Sequence, residues 1–270
     1  MWFSLNQEVP MKILRKNKEK YIILFWIIVL LTFWQLAATV GGASGLLLPS
    51  IGEVVSTLVD SLLHGDLPYQ IYYSLKVILI GIMIAIFTAI LLALSSQKYM
   101  MIAGLSKVLS AIGHPLPALA LLPLIIIWFG TGDASIIAII VHSALWPILI
   151  NLNAGFQAVP QIYLDIGRNL ELSPWEIAFE VKLKASLPYL LSGVKIAFAR
   201  SWRALIGAEM VFGAIGLKGG IGWYIFKQRT FMNTSGLFAG IIVVILIGLF
   251  IERFLFDYIE KKTIQKWGQN

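Results

Sequence analysis

The chain has 270 residues, 59% of them hydrophobic and 13% charged, with a formal net charge of +7. A soluble domain is about one quarter charged, so this composition excludes a water-soluble globular protein and indicates an integral membrane protein. Cysteine is absent, which excludes disulfides, thiol catalysis and thiolate metal sites. The basic excess of a membrane protein belongs to its cytoplasmic loops, so nucleic acid is excluded as a partner and the lipid bilayer takes its place.

A bilayer-spanning helix needs about 20 apolar residues. Six stretches qualify: residues 21–40, 72–96, 101–129 with a break, 134–156, 184–213 and 236–258. Lipid satisfies no backbone hydrogen bonds, and no alternating barrel pattern is present. The expected fold is therefore all-α, with six transmembrane helices. The first stretch follows a basic arm, Lys12, Arg15, Lys16, Lys18 and Lys20. Ala37-Ala38 and Gly41-Gly42-Ala43 come closest to a cleavage pattern without completing one, so the stretch reads as a retained anchor rather than a signal peptide. The chain divides into an arm at 1–20, a transmembrane domain at 21–260 with a polar insert at 160–184, and a tail at 261–270.

Lysine and arginine set the orientation. The arm, the turn with Lys98 and Lys107, the insert with Arg168, Lys182 and Lys184, and the tail with Lys261, Lys262 and Lys266 alternate with acidic or base-free loops. Both termini and the insert are expected in the cytoplasm. The loop at 216–233, with Lys218, Lys227 and Arg229, breaks this pattern on the outside.

The third span contains His114-Pro115-Leu116-Pro117 and Pro123. Each proline removes a backbone donor and clashes with the preceding turn, so the helix must bend or break. Breaks survive in lipid only where protein or a water-filled cavity satisfies the freed groups. Such a break suits either a helix lining the bundle interior or a kink that shapes packing. The glycines of the 216–225 stretch permit close backbone approach, and a re-entrant or gate-forming outer loop is one reading. No phosphate-loop motif occurs.

The insert has its own local structure. Ser173-Pro174-Trp175-Glu176 is a capping box with proline at the first helical position, so a helix is expected to start at Pro174. Residues 163–170 form a separate short helix ending near Glu171-Leu172. The fifth span carries Lys195, Arg200, Arg203 and Glu209. Arg200 and Arg203 fall near mid-membrane on one face, where a charge costs about 3 kcal/mol or more. Glu209 lies about 240° round the helix from Arg203, so it is not their partner within that helix. The two arginines either give a pathway a positive field suited to an anion's oxygens or bond carbonyls and hold the bundle together. His64, His114 and His142 show no metal-ligand spacing; His142 reads as a hydrogen-bonded packing residue.

Three stretches together resemble the permease subunits of ABC importers for nitrate, taurine and aliphatic sulfonates. They are 115–132 (PLPALALLPLIIIWFGTG) continuing through Trp146-Pro147 and Asn151 to Gly155, the polar insert, and 193–224, with Gly193, Trp202, Glu209 and the glycine run. The ordered set is specific although no single motif is. The resemblance implies a type I ABC importer permease bundle (MetI-like) in the bacterial cytoplasmic membrane, with the insert as a cytoplasmic coupling helix. Asp165, Gly167, Arg168, Glu171, Leu172, Ser173, Pro174, Trp175 and Glu176 would meet an ATPase, and Arg200, Arg203, Glu209 and Trp202 would serve the substrate pathway. Glu171 stands where the family pattern has glycine, and Lys184 where it has proline.

The resemblance further implies a second permease copy, two cytoplasmic ATPase subunits and an external solute-binding protein. No cofactor would bind this chain, ATP and Mg residing on the ATPases, and the chain itself would not be an enzyme. The expected function is ATP-driven import, by alternating access, of a small solute such as a sulfonate, taurine or nitrate. Alternatives are a permease for a vitamin precursor or another small organic solute, and a channel or structural subunit without ATP coupling. An intramembrane enzyme would need a paired catalytic constellation, and Asp133 and Asp165 fall on opposite sides of the membrane.

Overall fold

The computed structural model describes residues 5–40, 47–212 and 219–263. Gly41-Gly42-Ala43, Gly216, Lys218 and Lys266 lie outside the described residues. Every regular element among the described residues is helical. In chain order these are α1 (Leu5–Val40), α2 (Ile51–Leu63), α3 (Leu67–Lys98) and α4 (Met100–Gly113), then a 3₁₀ turn (Ala118–Leu121) leading into α5 (Leu122–Phe129). They are followed by α6 (Asp133–Ala158), α7 (Gln161–Asn169), α8 (Pro174–Glu176) with a π-helical continuation (Ile177–Leu183), and α9 (Leu187–Phe212). The last described elements are α10 (Ile221–Thr230), α11 (Thr234–Phe250) with a second π stretch (Ile251–Phe256), and α12 (Asp257–Thr263).

Among the described residues, four helical runs are long and apolar enough to cross a membrane: Lys18–Thr39, α3, α6 and Thr234–Lys262. The pair α4 and α5 makes a fifth if it is one span, and it is bent by 96° at the proline break. The remaining expected span corresponds to α9, which is 26 residues long; Lys195, Arg200, Arg203 and Glu209 set it apart from the apolar runs. Two helices were not expected. One is α2, which opens on a capping box: Glu53 N–H donates to Ser50 Oγ at 3.3 Å and Ser50 N–H to Glu53 Oε2 at 2.8 Å. The other is α10, inside the loop after α9.

At the centre, α6 packs between α3 and α9. Lipid is as apolar as leucine, so association rests on close packing by small residues. On α3 these are Gly81, Ala85, Ala89 and Ala93, four apart and all buried. On α9 they are Gly193, Ala197, Ser201 and Ala208. A Cβ on Gly81 would lie 2.4 Å from Ile140 Cγ2, and one on Gly193 3.1 Å from the Pro147 carbonyl oxygen. Ser201 Oγ donates to the Ile140 carbonyl at 3.3 Å. Ile136, Ile139, Ile140, Ile148, Leu149 and Leu152 of α6 fill the space between the two small-residue stripes.

The bundle has two distinct ends. At one, Tyr73 of α3 donates to Asp133 at the start of α6 at 2.5 Å, and Tyr224 of α10 shares a hydrogen bond with Ser61 of α2 at 2.8 Å. We refer to this as the Asp133 end. At the other, the Lys98 end, α3 and α6 finish, α7 and α8 lie, and α9 begins.

Gly81→Ala should cost about 2 kcal/mol, since the added methyl enters space held by Ile140. Thermal unfolding in mild detergent measures this; an unshifted midpoint would mean that α3 and α6 do not meet there.

Candidate functional site

The insert forms two short helices joined by a tight reversal, as its local chemistry indicates. Leu170 caps α7 and Glu171 follows with φ 58°. Leu172 N–H donates to the Gly167 carbonyl at 3.1 Å and Glu171 N–H to that of Arg168 at 2.9 Å. This is a Schellman motif, whose left-handed residue is usually glycine. Glu171 thus keeps the turn that glycine would make, at the cost of a left-handed backbone. Gly167 is buried, with Ile177, Val181 and Leu172 at ordinary contact distance from where a Cβ would sit. Asp165 Oδ1 accepts from Gln161 and Arg168, both at 3.0 Å.

The second helix starts at Pro174 with both halves of the capping box made. Ser173 N–H donates to Glu176 Oε2 at 2.7 Å and Glu176 N–H to Ser173 Oγ at 3.3 Å. Hydrogen bonds from Ser173, side chain first and backbone second, hold the exposed Glu176 carboxyl below the usual glutamate range. Glu180 and Lys184 pair one turn apart further on. One face of α7 is an exposed apolar row at helical spacing, with Ile162, Ile166 and Leu170 being 61%, 48% and 68% exposed. Trp175 and Phe179 extend the exposed apolar surface.

This segment is fastened to the end of α3. Lys182 Nζ donates to Gln97 Oε1 at 2.6 Å. Lys98 Nζ lies 5.5 Å from the centroid of the Trp175 ring and 5.3 Å from that of Tyr99. Burial is the main cause, and Arg168 a further one, of a Lys182 pKa lowered from the ordinary lysine value.

Deeper in the bundle, the four charged and aromatic candidates on α9 separate. Arg200 reaches the break after α4, where its Nη2 donates to the His114 carbonyl at 2.8 Å and its Nη1 to His114 Nδ1 at 3.1 Å. His142 Nε2 donates to the Leu116 carbonyl at 3.4 Å, while its Nδ1 accepts from Trp146 Nε1 at 3.3 Å. Carbonyls left open by the proline break are therefore satisfied by side chains of α9 and α6. Arg203 differs: it is exposed, and its Nε donates to the Ala199 carbonyl of its own helix at 3.0 Å. It shares an exposed stripe of α9 with Ser192 and Ile196. Trp202 is buried, stacks on Phe198 and donates to the Val244 carbonyl at 3.2 Å.

Glu209 joins neither arginine. It is 1% exposed, and its carboxylate takes the Ser74 hydroxyl at 2.7 Å and the Gly222 N–H at 2.9 Å. Ser74 Oγ in turn accepts from Ile221 N–H at 2.9 Å. One carboxylate thus closes the N-terminus of α10 and ties it to α3 and α9. Gly220 and Gly222 are glycine for space: a Cβ would meet Glu209 Oε1 at 2.0 Å and the Ile206 carbonyl oxygen at 2.3 Å. Ser74, Gln97 and His114 were not singled out as site residues from the sequence, because their partners lie 135, 85 and 86 positions away.

Comparison with known proteins bears on the whole assembly. Residues 101–265 match the family described as binding-protein-dependent transport system inner membrane component. A nitrate import permease protein of Leptolyngbya laminosa is 31% identical over 242 residues, covering 87% of this chain and 85% of the relative. A taurine transport system permease protein of Escherichia coli K12 is 30% identical over 229 residues, covering 83% and 82%. Among solved structures, a methionine ABC transporter in inward-facing conformations aligns with a TM-score of 0.50 at 16% identity, covering 78% of this chain and 96% of that one. That likeness is one of fold.

Ser173→Ala should weaken the start of α8 by about 1 kcal/mol, seen as faster hydrogen exchange at Trp175 and Glu176. The Glu176 pKa is lower folded than unfolded, so its stabilisation is complete above the ordinary glutamate value and is lost as pH falls through the depressed one. Exchange corrected for its intrinsic rate should rise over that acid range in the native chain and lose this pH dependence in Glu176→Gln. A flat profile in the native chain would remove the capping role.

Proposed function

Because this chain belongs to the binding-protein-dependent transport system inner membrane components and is the permease subunit of an ABC importer, we propose that its α7–α8 segment receives a cytoplasmic ATPase subunit. The observation that carries this reading is the exposed apolar row Ile162, Ile166 and Leu170 on a polar hairpin that joins α6 to α9 and also exposes Trp175. A lipid-facing helix has no use for the surrounding Asp165, Arg168, Glu171 and Glu176. A groove on a soluble partner does, because it buries the apolar row and leaves the charged rim in water.

The remaining architecture follows from that docking. The Lys98 end and both termini lie in the cytoplasm, and the Asp133 end faces outward to a solute-binding protein. With α9 as a further span and the α4–α5 pair as one, the chain crosses the membrane six times. Two copies enclose one pathway and two ATPases drive it. ATP and Mg belong to those subunits.

The solute is a small oxyanion, of the kind named for the nitrate and taurine relatives. Arg203 supports this reading. An exposed guanidinium in mid-span costs about 3 kcal/mol or more against lipid, so that stripe of α9 faces a water-filled path or a second copy. Arg200 is committed to the His114 break and acts as a brace.

Ile166→Asp should abolish retention of the ATPase in a mild-detergent pull-down from native membrane, while the chain stays folded and inserted. Full retention would remove α7 as the docking face. Arg203→Gln should lower uptake of nitrate or a sulfonate by reconstituted vesicles about tenfold, the scale of one lost charge-assisted hydrogen bond, with ATPase retention unchanged. Unaltered uptake would take Arg203 out of the pathway.

A further inference from the structure

We infer that α3 is a strut linking the ATPase-docking segment to α10, with Gln97 and Lys98 as its grips at one end and Ser74, through Glu209, as its grip at the other. The direction in which force travels rests on the importer reading above; the mechanical link itself does not. Three observations converge on it.

First, α3 is continuous. It runs 32 residues with proline only in its first turn, and from Ser74 to Lys98 it covers about 35 Å. Apart from α1, the other routes between the two ends are interrupted. The α4–α5 pair bends by 96°, α6 contains Pro147, α11 runs into a π stretch, and α9 reaches the docking segment only through the π-helical Ile177–Leu183.

Second, both ends of α3 are gripped by side chains of other elements. At the Lys98 end, Lys182 binds Gln97 and the Trp175 ring sits by Lys98. Trp175 and Lys182 lie in the second half of the same hairpin, beyond the Glu171 reversal that follows the exposed row Ile162, Ile166 and Leu170. At the Asp133 end, the Ser74 hydroxyl donates to Glu209 and accepts from the first N–H of α10.

Third, the outer grip has little play. The Glu209 carboxylate is buried against Gly220, Gly222 and Ser74, and a single methyl at Gly220 would overlap it. A buried carboxylate held only by hydrogen bonds loses much if one donor moves away. Axial displacement of α3 relative to α9 therefore acts directly on the N-terminus of α10. Ser74 and Glu209 are positioning residues: they hold the outer helix rather than touch the solute.

Hydrogen exchange of the full chain in lipid nanodiscs tests the link without any partner. Ser74→Ala should raise exchange at amides 221–225 about tenfold, the loss of one charge-assisted hydrogen bond, and Ser74→Thr should restore it. Lys98→Ala, an exposed change at the opposite end, should raise exchange at the same amides about threefold, the scale of a long-range coupling. Ala89→Gly in the middle of α3 should abolish the Lys98→Ala effect while leaving that of Ser74→Ala. If Lys98→Ala alters exchange only near residues 97–99 and 175–183, the strut is overturned, and this arm decides even if Ser74→Ala fails to fold. A failed importer reading would show instead as no ATPase retained by the native chain, with the exchange results unaffected.

Discussion

A backbone in lipid has no water to fall back on, and the rest of this structure depends on that constraint. The α4–α5 break opens carbonyls at His114 and Leu116 inside the bundle. Arg200 and His142 close them from α9 and α6. Residues that look from composition alone like an expensive decoration of a membrane span are thus hydrogen-bond donors for a bend. The bend in turn requires Gly113, against which Trp146 lies so closely that a Cβ would sit 2.3 Å from its ring. The same logic explains Glu209. The start of α10 points N–H groups into the bundle, and a carboxylate and a hydroxyl from two other helices receive them.

Charge within α9 consequently has three different uses along one helix. Lys195 pairs with Asp257 at 3.5 Å near the Lys98 end, Arg200 and Glu209 bind backbone groups, and Arg203 is left on the exposed stripe. Separating them matters for any account of selectivity. The Arg200 guanidinium closes a carbonyl of another element, whereas that of Arg203 bonds within its own helix.

What the sequence reveals here divides by range. The apolar stretches, the proline break, the helix start at Pro174 and the reversal near Glu171 are all encoded within a few residues, and each is present in the fold. So is the helical-wheel argument that separates Glu209 from Arg203. The helix α2 carried the same kind of local signal, Ser50 followed three residues later by Glu53, in a stretch of 13 residues that is too short to count as a span. By contrast, the partners of Glu209, Arg200 and Lys182 depend on which helices pack together. Two equally apolar helices give no hint of their neighbours; only the fourfold spacing of Gly81, Ala85, Ala89 and Ala93 marks the face by which α3 docks.

The π-helical stretch Ile177–Leu183 has a consequence for α9. A π turn holds more residues than an α turn. Were the stretch to tighten into α geometry, the surplus would pass into the following helix and rotate it by about 100° for each residue transferred. Such a change breaks no helix; it exchanges one set of backbone hydrogen bonds for another. The junction between α8 and α9 therefore holds rotational slack, a twist that axial translation alone could not supply. A twist of that size would carry Arg203 from one side of its helix most of the way to a neighbouring face.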